Sequence, residues 1–380
     1  MKVKKSAVNI SPIKKTPVKK KIIIILSAII SLMSIIVIIS YVSIHSIIHK
    51  MNLVTSSNAS EFYDNNSGSN LPSEGDNLLP EEKEDIAELP EASSEAIAAL
   101  EDKILKNMEK NQTPIDYDDD IFNILLIGGD SRKSGGTGRS DAMMLISINR
   151  KQKKIIVTSI LRDIYLQIPG KKYNRINAAY AYGGADLLLE TVRQNFKIQV
   201  NKYASIDFYS FIDIVNAVGG VTLDVHAEDL PVINGYIAEL NQLTDQTEGT
   251  DYLSKAGTLL LDGKQALGFA RNRYTGNNDF ERTSRQRQVL AQLFEKMKKL
   301  NLIELKDLLN IILPQVTTNL TEGEIFSMIL SLPVCVNYDV EQWSIPEAGS
   351  YTPMNVRGMA VLGIDFDENI GELNDKIYGK

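Results

Sequence analysis

Residues 123–148 read NILLIGGDSRKSGGTGRSDAMMLISI. The run Asn123 to Gly128 is apolar, short and closed by glycine, the composition of a buried strand, and Met143 to Ile148 reads as a second. Between them lies a glycine-rich loop carrying Asp130, Arg132, Arg139 and Asp141. A strand ending in a glycine turn is where open α/β sheets place ligands. This stretch therefore points to the fold class and to the place where chemistry should be sought.

Working outward, Ile155–Ile160 reads as a third strand, and Val221–Val225 as a fourth after the Gly219-Gly220 turn. Helical spacing is present over 185–196, 210–217, 285–299 and 321–331, and Thr321 with Glu324 fits a capping box for the last. Strands interleaved with helices predict an α/β domain of α-β-α type with a mixed central sheet. No internal repeat and no second linker interrupts the chain, so one domain over 121–380 is expected.

Ahead of it, Ile22 to Ile48 is almost wholly apolar and longer than the roughly 20 residues a helix needs to cross a bilayer. The lysines of 1–21, with no acid before Glu61, keep that tail cytoplasmic under the positive-inside rule and place the rest outside. A cleaved signal peptide would have a much shorter apolar core. The expectation is a single-pass cell-membrane protein with an extracytoplasmic C-terminal domain. Residues 49–120 turn to Ser, Asn, Glu and Asp, the composition of a stalk, with one amphipathic helix near 93–111 whose ordinary role is packing or self-association. A net charge of −7 argues against nucleic acid as a partner. The single cysteine, Cys335, excludes an internal disulfide and cysteine-rich metal sites.

Arginine is used selectively: none precedes Arg132, and the basic tail is built from lysine. The guanidinium fork matches phosphate oxygens bidentately, which a lysine does not. The loop Gly128 to Arg139 is not a P-loop, since no lysine follows Gly135 or Gly136. Two carboxylates, Asp130 and Asp141, flanked by Arg132 and Arg139, suit a magnesium ion shared with phosphate oxygens and water, manganese being the alternative. Capping of the glycine loop by the two aspartates explains them equally well. Arg162 and Asp163 follow the third strand, where a surface ion pair is the simpler account. The richest block is Arg271, Asn272 and Arg273, then Asp279, Arg282, Arg285, Gln286 and Arg287. Asp279, Arg282 and Gln286 share one helical face if the helix has begun by then. Cations at a helix start oppose its dipole, so an anion should compensate them. His226 stands alone, and no Ser-His-Asp or Cys-His arrangement can be assembled.

In this order the blocks resemble the LytR-CpsA-Psr family: Gly128-x-Asp130-x-Arg132, Arg139-Ser140-Asp141, Ser159 to Asp163, Arg175 to Tyr180, Gly219-Gly220-Val221, and Arg271-x-Arg273 followed by Asp279-x-x-Arg282-x-x-Arg285-Gln286. The match is most diagnostic over 121–299. It implies a phosphotransferase that moves an anionic glycopolymer, such as teichoic acid or capsule, from a polyprenyl-diphosphate carrier to peptidoglycan. It further implies magnesium on Asp130 and Asp141, and the diphosphate held by Arg132, Arg139, Arg162, Arg271, Arg273, Arg282 and Gln286, with Asp279 orienting arginines. Asp163 is a candidate acceptor for the proton of the attacking hydroxyl. Leu161, where proline is usual, and Phe269-Ala270, in place of Tyr-Val, depart from the family pattern in shape and not in charge. The alternatives are a polyprenyl-phosphate-binding or wall-regulatory surface protein, and a lipid-diphosphate pyrophosphatase. The carrier lipid would need an apolar channel, for which the helical faces over 185–196 and 210–217 are candidates, although core packing accounts for most of their apolar residues.

Overall fold

The computed structural model describes residues 45, 46, 48–54, 89–110, 118–129, 139–276 and 278–379. The chain divides into two units, 1–49 and 50–380. What is described of the first is a helical turn in which the His49 amide donates to the His45 carbonyl at 3.1 Å. The expected membrane span, 22–48, lies outside the described residues except at its end. Among the described residues no helix is long and apolar enough to cross a membrane.

The second unit contains, in chain order, β1 (Asn52–Leu53), α1 (Ser94–Glu109), β2 (Ile121–Gly129), β3 (Ser140–Asn149), β4 (Lys154–Ile160), β5 (Tyr165–Gln167), β6 (Tyr173–Arg175), α2 (Asn177–Phe196) and β7 (Lys202–Ile206). Then follow α3 (Phe208–Ala217), β8 (Val221–Val225), α4 (Asp229–Leu243), β9 (Gly257–Leu261), α5 (Gly263–Arg271), α6 (Asn278–Met297) and α7 (Leu302–Ile312). The chain closes with β10 (Thr317–Thr318), α8 (Glu322–Cys335), β11 (Asp339–Ile345), the hairpin β12 (Tyr351–Val356) and β13 (Met359–Ile364), and α9 (Phe366–Tyr378).

Seven strands form one sheet in the order β1-β10-β7-β2-β3-β4-β11. β2 runs parallel to β7 and antiparallel to β3, and β4 runs antiparallel to β3 and parallel to β11, so the sheet is mixed. Side chains of period two on β2 and β3 then divide between its faces. Leu125, Ile127, Met143 and Leu145 join a core with Ile104 of α1, Leu188 and Val192 of α2, and Leu373 of α9. On the other face, Val215 of α3, Ile233 and Ile237 of α4, Phe269 and Ala270 of α5 and Val289 of α6 form a second core with the paired strands β8 and β9. That is the expected α-β-α arrangement.

Several local details differ from the sequence reading. Val221–Val225 is a strand, but it pairs with β9 outside the central sheet. The helix beginning at Ala185 is the second half of α2, which breaks at Gly183 and Gly184. The amphipathic helix near 93–111 is present as α1 and is packed into the core through Ile97, Leu100 and Ile104. The packed unit thus reaches back ahead of Ile121, and β1 returns residues 52–53 to the sheet edge.

Candidate functional site

The candidate residues converge where β2, β3 and β4 face the ends of α5 and the start of α6. β3 opens on Ser140-Asp141, and the chain leaving β4 carries Arg162 and Asp163. α5 begins with a capping box, Asp262 to Gln265, and ends on Arg271, where a cation is favourable at the carbonyl end of the helix. Gly263 at its start lies so close to α3 that a Cβ there would strike the Ile212 carbonyl, and this contact fixes α5 against α3. α6 has begun by Asn278, so Asp279, Arg282 and Gln286 do share one helical face.

Arg162 is the hub. Its side chain is 3% exposed and donates through Nη1 to Asp141 Oδ1 at 2.8 Å, while Nε lies 3.6 Å from Asp163 and 3.8 Å from Asp279. This is not the simple surface pair that its sequence neighbourhood allowed. Asp163 in turn accepts from Arg175 Nη1 at 3.0 Å. Burial raises the Asp141 carboxyl, but Arg162, Arg282 and Arg271 outweigh it and hold the group below the usual carboxylate range. The same balance, with Arg162, Arg175 and Arg282 as the cations, lowers Asp163. Asp279 goes the other way, because burial dominates and the Asp163 charge adds to it. Arg282 Nη2 lies 2.6 Å from Asp279 Oδ1. Yet Arg162 Nε, Arg282 Nε and Nη2 and both Asp279 oxygens are buried with no aligned hydrogen-bond partner. Orphaned buried donors of this kind need an explanation, and a bound anion is one.

Asp141, Arg162, Arg271, Arg273, Arg282 and Gln286 line the polar part of a cavity of about 250 Å³. Its remaining wall is apolar: Leu126, Met144 and Ala204 from the sheet, Phe208 and Phe211 from α3, Tyr236 from α4, and Val289, Leu290 and Leu293 from α6. Along α6 the lining passes from Arg282 to Leu293, a rise of about 16 Å at 1.5 Å per residue. Gly128 leaves room for it, since a Cβ there would already lie 3.1 Å from that of Ala142. Arg271 is held over the rings of Phe208 and Tyr236, with centroids at 4.7 and 4.3 Å, and donates to Glu239 at 3.2 Å. Of the two helical faces expected to form an apolar channel, the one over 210–217 contributes Phe211, whereas 185–196 packs into the opposite core, as ordinary packing required.

Asp130 and Arg132 lie outside the described residues. Arg139 is described and half-buried but does not line the cavity. Neither does Asp163, which pairs with Arg162 and Arg175. The anion expected to offset the cations of α6 is found in two places. One is Asp279 in its first turn. The other, which sequence reasoning missed, is Asp229, fully buried at the start of α4: it accepts from Arg285 Nη2 at 3.1 Å and from Asn272 Nδ2 at 2.8 Å. Arg285 also donates to the carbonyls of Asn272 and Thr275. Nothing local to Asp229 marks it, whereas Arg175 stood within a quoted motif. Arg287 is structural, donating to Ser159 Oγ at 2.7 Å.

A sequence model of the LytR_cpsA_psr family matches residues 91–370. The polyisoprenyl-teichoic acid–peptidoglycan teichoic acid transferase TagT of Bacillus subtilis is 36% identical over 192 residues, 50% of this chain and 56% of TagT, so the match spans little more than half of that relative. The regulatory protein MsrR of Staphylococcus aureus is 32% identical over 238 residues, 62% of this chain and 68% of its own. Among solved structures, TagT bound to LI-WTA superposes with a TM-score of 0.55 at 28% identity, covering 70% of this chain and 92% of that one. The same protein with bound octaprenyl pyrophosphate lipid gives 0.52 at 28%, covering 69% and 93%.

Proposed function

The chain belongs to the LytR-CpsA-Psr family, and from that membership we propose that it transfers an anionic glycopolymer from a polyprenyl-diphosphate carrier to peptidoglycan, forming a phosphodiester. The observation that carries this reading is a single cavity with two chemistries, four arginines at one part and an aliphatic and aromatic wall in the rest. A diphosphate joined to a long hydrocarbon has the same two parts. TagT, named as a teichoic acid transferase, and its structure with an octaprenyl pyrophosphate lipid support it by similarity.

In this reading Arg162, Arg271, Arg273 and Arg282 bind the diphosphate, whose oxygens supply the acceptors that Arg162 Nε and Arg282 Nε lack within the protein. An acceptor sugar hydroxyl attacks the phosphorus nearest the polymer. The new phosphorus–oxygen bond forms as the bond to the lipid phosphate breaks, the hydroxyl loses its proton, and polyprenyl phosphate leaves with the extra negative charge. Fixed guanidinium groups in a site partly closed to water stabilise that charge without reorganising. Arg162 is kept in place by Asp141 and Asp163, and Arg271 by Glu239 and two rings.

Magnesium fits the donor set in part. Asp141 lines the cavity with its Oδ1 taken by Arg162, which leaves Oδ2 for an ion. One or two carboxylates with substrate phosphate and water are the usual magnesium environment, and Asp130 would be the second. When bound, the ion would neutralise phosphate charge.

The purified full chain, given lipid-diphosphate-linked polymer, peptidoglycan fragments and magnesium, should yield a polymer–peptidoglycan phosphodiester detectable by mass. Binding without transfer to any acceptor would favour a regulatory binding protein, and release of a free phosphorylated polymer would favour a pyrophosphatase.

A further inference from the structure

After Arg273 the chain turns through Tyr274, Thr275 and Gly276 into α6. Surface turns are ordinarily the more mobile parts of a fold, but this one is anchored to the buried pair Asp229–Arg285. Asn272 Nδ2 donates to Asp229 Oδ1 at 2.8 Å and to Thr275 Oγ1 at 2.9 Å, and Asn272 Oδ1 accepts from the Tyr274 amide at 3.1 Å. Arg285 donates to the Thr275 carbonyl at 3.1 Å and to its Oγ1 at 2.8 Å. Gly276, at φ +88°, closes the turn against the first part of α6, where a Cβ would lie 2.8 Å from Glu281 Cγ. A buried ion pair is costly to desolvate and is weak evidence of stabilisation by itself. Its use here is positional, because it fixes the backbone on both sides of Tyr274.

Tyr274 itself is 49% exposed, although Asn272 and Arg273 before it are buried. The Arg273 guanidinium, which lines the cavity, lies over the tyrosine ring at 5.4 Å from its centroid. A held backbone thus presents an aromatic ring to solvent beside one of the arginines of the site. Such a ring offers contact area at small entropic cost. Its face is negative, and the weakly positive C–H bonds of a pyranose pack on it. Position selects which sugar. Along α6 the cavity lining passes from Arg282 to Leu290 and Leu293, so the hydrocarbon lies toward the far end of the helix and the diphosphate toward its start. The turn that carries Tyr274 lies ahead of that start. In phosphoryl transfer the attacking and leaving oxygens are roughly in line. A lipid phosphate that leaves toward the apolar wall requires the acceptor hydroxyl to come from the opposite side, which is the side of Tyr274.

We propose that Tyr274 is a stacking platform for the acceptor sugar of peptidoglycan, which sets the attacking hydroxyl against the phosphorus held by Arg273 and Arg282. This rests on the transferase reading of the cavity, and it adds the side from which the acceptor enters. The buried Asp229–Arg285 pair then serves both members of the turn, Arg273 for the donor and Tyr274 for the acceptor.

The test uses the full chain and a soluble muropeptide, an N-acetylglucosaminyl-N-acetylmuramyl disaccharide with its peptide, titrated by ligand-observed NMR and then used as acceptor in steady-state transfer. Tyr274→Ala should weaken muropeptide binding by about tenfold and raise the acceptor KM by the same factor. Its kcat at saturating acceptor and its KM for the carrier should stay within about twofold of wild type, as loss of uniform acceptor binding requires. Tyr274→Phe, which keeps the ring, should restore acceptor affinity, whereas Tyr274→Leu, which keeps only apolar bulk, should not. Unchanged acceptor affinity in Tyr274→Ala overturns the proposal, and so does a wild type that does not bind the muropeptide. A rise in the carrier KM in place of the acceptor KM also overturns it, and would assign the ring to the sugar of the polymer. A wild type that binds the muropeptide through Tyr274 but never transfers to it would remove the transferase reading alone, because the titration is read without turnover.

Discussion

Arg162 Nη1 and Asp141 Oδ1 are joined by a 2.8 Å hydrogen bond between a guanidinium 3% exposed and a carboxylate 20% exposed. The acid that sequence reasoning assigned to metal is thus also the acid that aims the central arginine. Two roles on one side chain give variants that separate them.

Asp141→Asn keeps a side-chain oxygen for Arg162 but loses the charge that magnesium requires. Transfer should fall on the order of 100-fold, the scale of several kcal/mol of metal charge stabilisation. Lipid-diphosphate binding, measured by calorimetry in a chelator, should change little. Full transfer by this variant in a chelator would exclude a role for metal at Asp141.

Asp163 gives a pH prediction. Its folded carboxyl is held below the ordinary range, so it contributes stability above the unfolded value and loses it as pH falls through the folded one. Asp163→Asn should therefore melt lower than wild type near neutral pH. The gap should close below about pH 4, where an unfolded aspartate is itself protonated. Thermal melts at several pH values decide this, and a gap independent of pH would mean that the charge of Asp163 is not its contribution.

Asp229→Asn should be costly although it lies outside the cavity lining. It leaves the buried Arg285 guanidinium without its counter-charge, a loss of about 3–5 kcal/mol by comparison with other broken buried pairs. The single oxygen of asparagine serves either Asn272, sited between Arg271 and Arg273, or the His226 amide but not both, so transfer should decline at temperatures where the protein is still folded. Replacing both partners, as Asp229→Leu with Arg285→Met, should recover most of the stability but not the activity. Recovery of both would show that the pair has no positioning role.

Arg271→Lys retains charge but loses the planar contact with Phe208 and Tyr236 and the bidentate fork. Its transfer rate should drop by at least about tenfold with little change in melting temperature. Ala204→Phe, which fills the apolar wall, should instead weaken binding of long carriers while short ones are still turned over. Equal loss with both carriers would place the lipid chain elsewhere.

Most of the candidate site was legible because it is marked by residue types. Arginines beside aspartates stand out wherever they fall in the chain, and the order of their motifs is a property of sequence alone. The α/β class was legible for a similar reason, since β2, β3 and β4 are short apolar runs bounded by turns. Asp229 was not legible: an acid at a helix start is ordinary, and only the fold brings it to Arg285, which lies 56 residues away. β7 and β11 escaped because Lys202–Ile206 and Asp339–Ile345 interleave polar residues, and pairing with β2 and β4 is what makes them strands.

What the sequence determined by itself is the inventory, which is arginine chosen over lysine, two acids beside one glycine loop, and a long apolar segment ahead of an α/β domain. What only the tertiary structure decided is use. Arg285 and Arg287 are structural while Arg282 and Gln286 face the cavity, because α6 turns about 100° per residue and each side chain meets a different neighbour. Likewise α2 and α6 both pack apolar residues, but on opposite faces of one sheet, and it is the α6 face that also receives the arginines.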